Sequence, residues 1–597
     1  MSSRSLLKGS SPPVKTFKEE YNERGAKQIP VENLAQAFVE IAVRCGIKYW
    51  FVNTGTDWPP IMDAVARAWA KGLEWPKFIV CPHEFTATSM AHGYAMVSGD
   101  VPLVGYHLTV GTYNALGAIA NAYTAHMPLF LFAGSGWITR EPPTGGRGPY
   151  AQGSRYQAGP LREYIKWDCE IKLKEHIPHI MQRALQIART EPSGPVYVTV
   201  PNEIALLKVD GVELPPIELC EPPASPPGDS KAIAQAAKLL VEAEKPLIIT
   251  SALGRNPAAV DQLVRFAELL AIPVSGALGV FGYMNFPTNH PLHVSIPLQE
   301  ADVIFIIENP RPWTGKYVPN PNAKYINLAI DPLYIKAYPL TGFCPSHVSI
   351  IADPVKALIQ LHRAASRLIS KSPNEKEEIN ERFERIKEIH NAQVNALKRD
   401  ALSVRNKKPI DRRWVNYCIG QIKTEKDVLI SDYGYAYQGS GDFTVPGTYF
   451  ANPPSACLGW GLGAALGAKL AAPDRTVIVC MGDGSYMYGN PTVAHFTSKK
   501  YGLPFLTVVY NNQGWGAPRR LLMEEYPDGW AMRHGYVKTL NSFEPSPDFK
   551  LVCEASGGYA ETVEDPSEVQ PALKRALKAV KVEKRQALLN FILAFGE

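Results

Sequence analysis

The chain has few of the marks that sort a protein quickly. Charge is nearly balanced: 62 Lys and Arg face 57 Asp and Glu, a net +5 over 597 residues. No basic stripe stands out, which excludes nucleic acid as the expected partner. No run reaches the roughly 18 uninterrupted apolar residues of a membrane span. None of the nine cysteines forms a CxxC pair, and several, such as Cys480 in VIVCMG, sit in apolar runs. That pattern points to buried free thiols in a reducing compartment, not to disulfides or a metal cluster. The first 27 residues lack the apolar core of a secretory signal, and Glu19, Glu20 and Glu23 argue against a transit peptide. A polar arm on a cytoplasmic protein is expected. There is also no GxSxG elbow, no Walker A loop and no repeat of solenoid period.

What is present fits a soluble globular protein: 46% hydrophobic and 20% charged residues. The length predicts about three or four domains. Two stretches break the pattern. Residues 207–227 carry proline pairs without apolar periodicity, the mark of an extended linker. Residues 369–404 are charged; Ser372-Pro373-Asn374-Glu375 reads as a helix start, and Ile379, Phe383, Ile386 and Ile389 recur at helical spacing. Cutting at both leaves blocks at 28–206, 228–368 and 405–597. In the first block YWFVNTG, KFIVCP, PLVGYH, PLFLFAG and PVYVTVP read as strands, with helices over 84–97 and 113–125. PLIITSA, DVIFIIE and AKYINLAI play that part in the second block, and DVLISD, RTVIVCMGD and PFLTVVYNN in the third. Alternation of strands and helices predicts an α/β protein of three doubly wound parallel-sheet domains. Ligands of such sheets bind at the carboxyl ends of strands.

The third block carries the sharpest signal there. One strand runs into Gly482-Asp483-Gly484-Ser485, and the next runs into Asn511-Asn512-Gln513-Gly514. Asp483, the Asn512 amide oxygen and a turn carbonyl such as that of Gly514 are hard oxygen ligands that suit Mg²⁺ and, through it, phosphate. Gly482 and Gly484 let backbone come close. GDG alone also fits a surface turn; the paired strand ends are much more specific.

GDGS followed by NN resembles the diphosphate-binding motif of thiamine-diphosphate enzymes. The three blocks resemble the decarboxylase branch of that family, which includes acetolactate synthase and benzoylformate decarboxylase, over about residues 28–597. The resemblance implies pyrimidine-binding, central and diphosphate-binding domains in that order, with Gly482, Asp483, Gly484, Ser485, Asn512 and Gly514 at the cofactor. Of these, Asp483, Asn512 and Gly514 would bind the metal. It also implies an activating glutamate, and His83-Glu84 before FTATSMAHGYAMVSG matches its place. A carboxyl group at N1′ of the aminopyrimidine favours the imino tautomer, whose nitrogen can take the thiazolium C2 proton; the protein orients and polarises, and the cofactor carries the hard step. Glu84 is expected beside an apolar pocket. Leu458 falls where the family places a bulky residue between the cofactor rings, and Tyr435 is a further cofactor candidate.

On the substrate side, YHLTVGTYNALG resembles the benzoylformate decarboxylase segment with a catalytic histidine, which makes His107 the acid/base. It also fits a half-buried, hydrogen-bonded histidine. Thr56 stands where that enzyme contacts the substrate carboxylate. Acetolactate synthases carry a loop glutamine instead, for which Gln157 is the better candidate and Gln152 the other. Trp137, Trp515 and Arg519 can line the pocket, or equally be core, rim and solvated charge. The implied reaction is decarboxylation or C–C cleavage of a 2-oxo acid or ketone, with or without carboligation. The resemblance implies active sites shared between two subunits, hence a homodimer at minimum and a homotetramer by family precedent. Ser251–Pro257 lacks a glycine cluster, which argues against FAD in the central domain. The run Gly459, Gly461, Ala464 is a loose dinucleotide fingerprint, so an NAD-dependent dehydrogenase is the rival enzyme reading; a non-catalytic member of the fold is the other rival.

Overall fold

A computed structural model describes residues 27–139, 152–276, 282–313, 318–333, 345–370, 373–432 and 439–595. Tyr435, Ser372 and Cys344 lie outside them. The chain forms two compact units. One comprises Met1–Ala224, Leu462–Pro473 and Gly489–Leu503, and the other holds the remainder.

The first unit is built on a six-stranded parallel sheet. Its strands run Lys77–Val80, Tyr49–Val52, Leu103–Tyr106, Phe130–Ser135, Val196–Pro201 and Trp167–Glu170 across the sheet. Apolar runs such as FLFAGS are buried on both faces, as a helix-covered parallel sheet requires. Phe38, Trp50, Trp58, Phe130 and Phe132 pack one side as an aromatic core. On the other side helix Glu84–Ser98 is buried from Glu84 to Ala95. The glycine-rich segment Leu462–Pro473 packs against it so closely that a Cβ on Gly467 would lie 1.9 Å from the Met90 carbonyl oxygen. The helix expected over 113–125 is two helices, Leu108–Asn114 and Leu116–Thr124, joined at Ala115. The linker after Leu206 holds the strand Val212–Leu214, which pairs antiparallel with Lys27–Ile29, and a single 3₁₀ turn, Ile217–Cys220, that interrupts its extended course.

The second unit holds two sheets. The five-stranded one runs Val274–Ser275, Pro246–Thr250, Val303–Ile307, Lys324–Ala329 and Val348–Ile351, all parallel. The six-stranded one runs Tyr449–Ala451, Val428–Ser431, Val477–Gly482, Leu506–Asn511, Ala587–Ile592 and Tyr559–Val563, also all parallel. The charged stretch is the helix Pro373–Ser403. It seats Ile379, Phe383 and Ile386 on the core of the five-stranded sheet, while Ile389 faces outward. No helix of the described residues is long and apolar enough to cross a membrane.

Candidate active site

Three connections at the carboxyl edge of the first sheet converge on one carboxylate. Glu84 opens the helix after strand Lys77–Val80, where the helix dipole favours an acid. It is buried, and both oxygens are held: Oε1 accepts from Asn53 Nδ2 at 2.8 Å and Oε2 from Asn114 Nδ2 at 2.7 Å. Asn53 follows strand Tyr49–Val52, and Asn114 closes helix Leu108–Asn114. The expected apolar surroundings are therefore replaced by two amide donors, which compensate the burial of the carboxylate without a cationic side chain.

His107 follows strand Leu103–Tyr106 and lies near Glu84. A Cβ on Gly111 would stand 3.0 Å from Glu84 Oε1 and 3.5 Å from His107 Cβ, so the Glu84 carboxylate and the root of the His107 side chain both border Gly111. His107 Nδ1 meets Asp57 Oδ1 at 2.6 Å, and Nε2 meets Gln152 Oε1 at 2.9 Å. The hydrogen bond to Asp57 raises the histidine pKa above its ordinary value. Leu108, the next residue, has φ of +43°, a left-handed conformation that costs a side chain roughly 1–3 kcal/mol. It marks the sharp turn by which the strand hands over to the helix.

The substrate candidates separate. Thr56 is exposed in the turn beside Asp57. Gln157 is buried, its Nε2 spent on the Gly134 carbonyl at 2.9 Å and Tyr197 Oη at 2.7 Å, with Thr109 Oγ1 at its oxygen. It braces the sheet edge, and Gln152 is the glutamine at His107. Gln157, the better candidate in the sequence, meets its partners in the core, while Gln152 meets the His107 ring. Trp137 is half-buried. In the second unit, Arg519 lies over the Phe595 ring. Trp515 packs its ring where a Cβ on Gly484 would be, 2.5 Å from the ring edge, so it covers the turn at Asp483.

The diphosphate motif forms one turn cluster within the second unit. Asp483 begins a short helix at the end of strand Val477–Gly482, and Asn512 follows the neighbouring strand Leu506–Asn511. The Gly514 N–H points at both, 3.1 Å from Asp483 Oδ2 and 3.3 Å from Asn512 Oδ1. Burial pushes the Asp483 carboxyl up to about 6, against the pull of the backbone N–H groups of Gly484 and Gly514. Among the described residues no three His, Cys, Asp or Glu side chains cluster. A cation at Asp483 would therefore rely on one carboxylate, amide and carbonyl oxygens and the oxygens of a bound phosphate, a set that Mg²⁺ accepts.

Behind this turn stands a residue that the sequence reading missed. Asp432 is fully buried at the end of strand Val428–Ser431. Its Oδ1 accepts from Asn452 Nδ2 at 2.8 Å and its Oδ2 from Gly461 N at 3.1 Å, while Gly459 N donates to Ser485 Oγ at 3.1 Å. Burial raises the Asp432 pKa. One carboxylate thus ties the Leu458 turn and the Ser485 turn together. The available signal was the Asp at the end of DVLISD, a strand end beside that of Gly482. Asp432→Ala would leave buried N–H groups unpaired at about 1–3 kcal/mol each. A loss of roughly 2–4 kcal/mol in urea unfolding is expected, with weakened cofactor affinity.

Family models agree with this layout. "Thiamine pyrophosphate enzyme, N-terminal TPP binding domain" matches residues 32–148, the central domain of the same enzymes matches 233–361, and the C-terminal TPP binding domain matches 435–590. An acetolactate synthase large subunit from Lactococcus lactis is 24% identical over 569 residues, covering 90% of each chain. A benzoylformate decarboxylase from Pseudomonas aeruginosa is 25% identical over 581 residues, covering 92% of this chain and 97% of that one. The solved structure of a Rhodococcus jostii thiamine diphosphate-dependent 4-hydroxybenzoylformate decarboxylase superposes with a TM-score of 0.72 at 21% identity, covering 94% of this chain and 99% of the other, a likeness of fold.

Proposed function

The chain belongs to the thiamine pyrophosphate enzymes, and on that premise we propose that it is a Mg²⁺-dependent decarboxylase of small 2-oxo acids in which His107 returns the proton. The observation that carries this reading is the pairing of Glu84 and His107 across Gly111. It brings a carboxylate within electrostatic reach of an imidazole, the two groups that activation and product release need.

Thiamine diphosphate, when bound, supplies a nucleophilic thiazolium carbon and a sink for the electrons left by departing CO₂. Glu84 would hold a proton at the aminopyrimidine N1′, kept in line by Asn53 and Asn114. Asp483, the Asn512 amide oxygen and the Gly514 carbonyl would hold Mg²⁺, with Gly482, Gly484 and Ser485 shaping the turn. Leu458, fixed next to the Gly459–Ser485 bond, would brace the cofactor rings. Thr56 would meet the substrate carboxylate, and Gln152 would hold His107 from the pocket side. In this reading two copies of the chain complete each site, one giving Glu84 and the other Asp483, in a homodimer or a homotetramer of the cytoplasm. FAD, nucleic acid and membrane have no part in it.

The test is a panel of 2-oxo acids with CO₂ detection and product analysis. We expect CO₂ release that needs both thiamine diphosphate and Mg²⁺, with the aldehyde as main product. A main product of the acyloin or acetolactate type would make the enzyme a carboligase. No CO₂ from any member of a broad panel would sink the decarboxylase reading.

A further inference from the structure

We propose that Asp57 is the positioning residue of the site: it holds His107 as an imidazolium, with the Nε2 proton presented outward, before substrate arrives. The proposal rests on the role given above to His107, but its physical core concerns two residues of the folded chain alone.

The Asp57 side chain is 1% exposed. One oxygen takes the His107 Nδ1 proton at 2.6 Å, and the other accepts Gly134 N–H at 3.0 Å. An ionised carboxylate this deep needs a partner of opposite charge or several donors. It has one backbone donor and the imidazole. In this conformer both ring nitrogens of His107 face acceptor oxygens, Asp57 Oδ1 and Gln152 Oε1. With Nδ1–H given to the buried carboxylate, Nε2 is left to carry the second proton of the cation, which the Gln152 oxygen is placed to accept.

The surroundings are built for the pair. A Cβ on Gly134 would fall 2.3 Å from Asp57 Oδ2, and a Cβ on Gly55 would fall 2.1 Å from the His107 ring. Any side chain at either position would have to displace the dyad. Among the described residues the other charged groups do not oppose it. Glu84, across Gly111, also favours the cation. His83 contacts Asn114 and is itself pushed toward the neutral form by burial. Arg155, on the segment of Gln152, turns its guanidinium onto the Tyr156 ring. Helix Leu108–Asn114 carries no charged residue. A histidine tethered through Nδ1 to a buried carboxylate, with Nε2 turned away from it toward Gln152, is the general arrangement of an oriented acid/base.

Asp57→Asn breaks the charge and keeps the shape. The amide oxygen can still accept from Gly134, but Nδ2 now donates to His107 Nδ1, which forces the neutral Nε2–H tautomer. A neutral imidazole is a far weaker acid, so the proton-return step slows while binding stays. The activity limb that falls as pH rises through the His107 pKa should move to lower pH in the variant.

The deciding experiment needs neither substrate nor cofactor. Diethyl pyrocarbonate acylates neutral imidazole, and peptide mass spectrometry reads each histidine separately. At neutral pH we expect His107 in Asp57→Asn to be modified about tenfold faster than in the wild type, with the rate at exposed His534 unchanged. In the wild type alone, the pH midpoint for His107 should lie above that of N-acetylhistidine acylated under the same conditions. Equal His107 rates in the two proteins, or a wild-type midpoint at or below that of N-acetylhistidine, would overturn the proposal. The wild-type arm decides even if the variant does not fold. If the decarboxylase reading fails on the substrate panel, the footprint still reports on the dyad. If that reading holds, Asp57→Asn should also lower kcat by about 10²–10⁴-fold at unchanged KM.

Discussion

Glu84→Gln is expected to keep the cofactor bound and to lower turnover by about 10²–10⁴-fold, the usual share of a positioned acid/base. The substitution keeps length and volume, so the fold around helix Glu84–Ser98 has little reason to change. It replaces an acceptor-only carboxylate with a group that carries its own NH₂. One of Asn53 and Asn114 must then face a donor, since both give their Nδ2 protons to Glu84 now. A stability loss of about 1–3 kcal/mol should accompany the kinetic one. The two effects are separable, because Asn114→Ala removes one donor and leaves the carboxylate in place. Near-normal turnover in Glu84→Gln would remove the residue from the chemistry.

The second large effect concerns Asp483, in the second unit. Wild-type protein should gain thermal stability when thiamine diphosphate and Mg²⁺ are added together. At about 100 times the dissociation constant the gain is roughly 2.7 kcal/mol, which moves Tm by about 5–10 °C for a domain of this size. Asp483→Ala should abolish that shift. The argument is one of ligand supply: Asp483 is the lone carboxylate in the turn cluster, and its partners are backbone N–H groups. Without it the remaining amide and carbonyl oxygens carry no formal charge to hold a divalent ion against water. An unchanged shift would show that the metal is held elsewhere.

The central strands and the motif were legible in the sequence for one physical reason: both are local. VIVCMG and FLFAGS are unbroken apolar runs because they are buried on both faces of parallel sheets, and GDGS sits at a strand end by sequence adjacency. Edge elements were not legible. Trp167–Glu170 reads WDCE, half-exposed and without a run, and Val274–Ser275 is two residues long. The polar supports were hidden for a different reason. Asp57 precedes Trp58 in a turn with no periodicity, and only the fold brings it to His107. Asn53, Asn114 and Asp432 likewise acquire their roles from strand ends that are remote in sequence. The two glutamines show the same limit: the family resemblance favours Gln157, whereas in the fold Gln157 bonds to Tyr197 and Gly134 and Gln152 meets the histidine.

The most direct test of the account is the rate at which the C2 proton of bound thiamine diphosphate exchanges with D₂O, measured on the Mg²⁺-loaded enzyme. If Glu84 activates the cofactor while the Asp57–His107 pair serves a later proton transfer, exchange should slow at least about 100-fold in Glu84→Gln and stay near wild type in Asp57→Asn. Exchange that is unaffected by Glu84→Gln, or slowed equally by both substitutions, would contradict it.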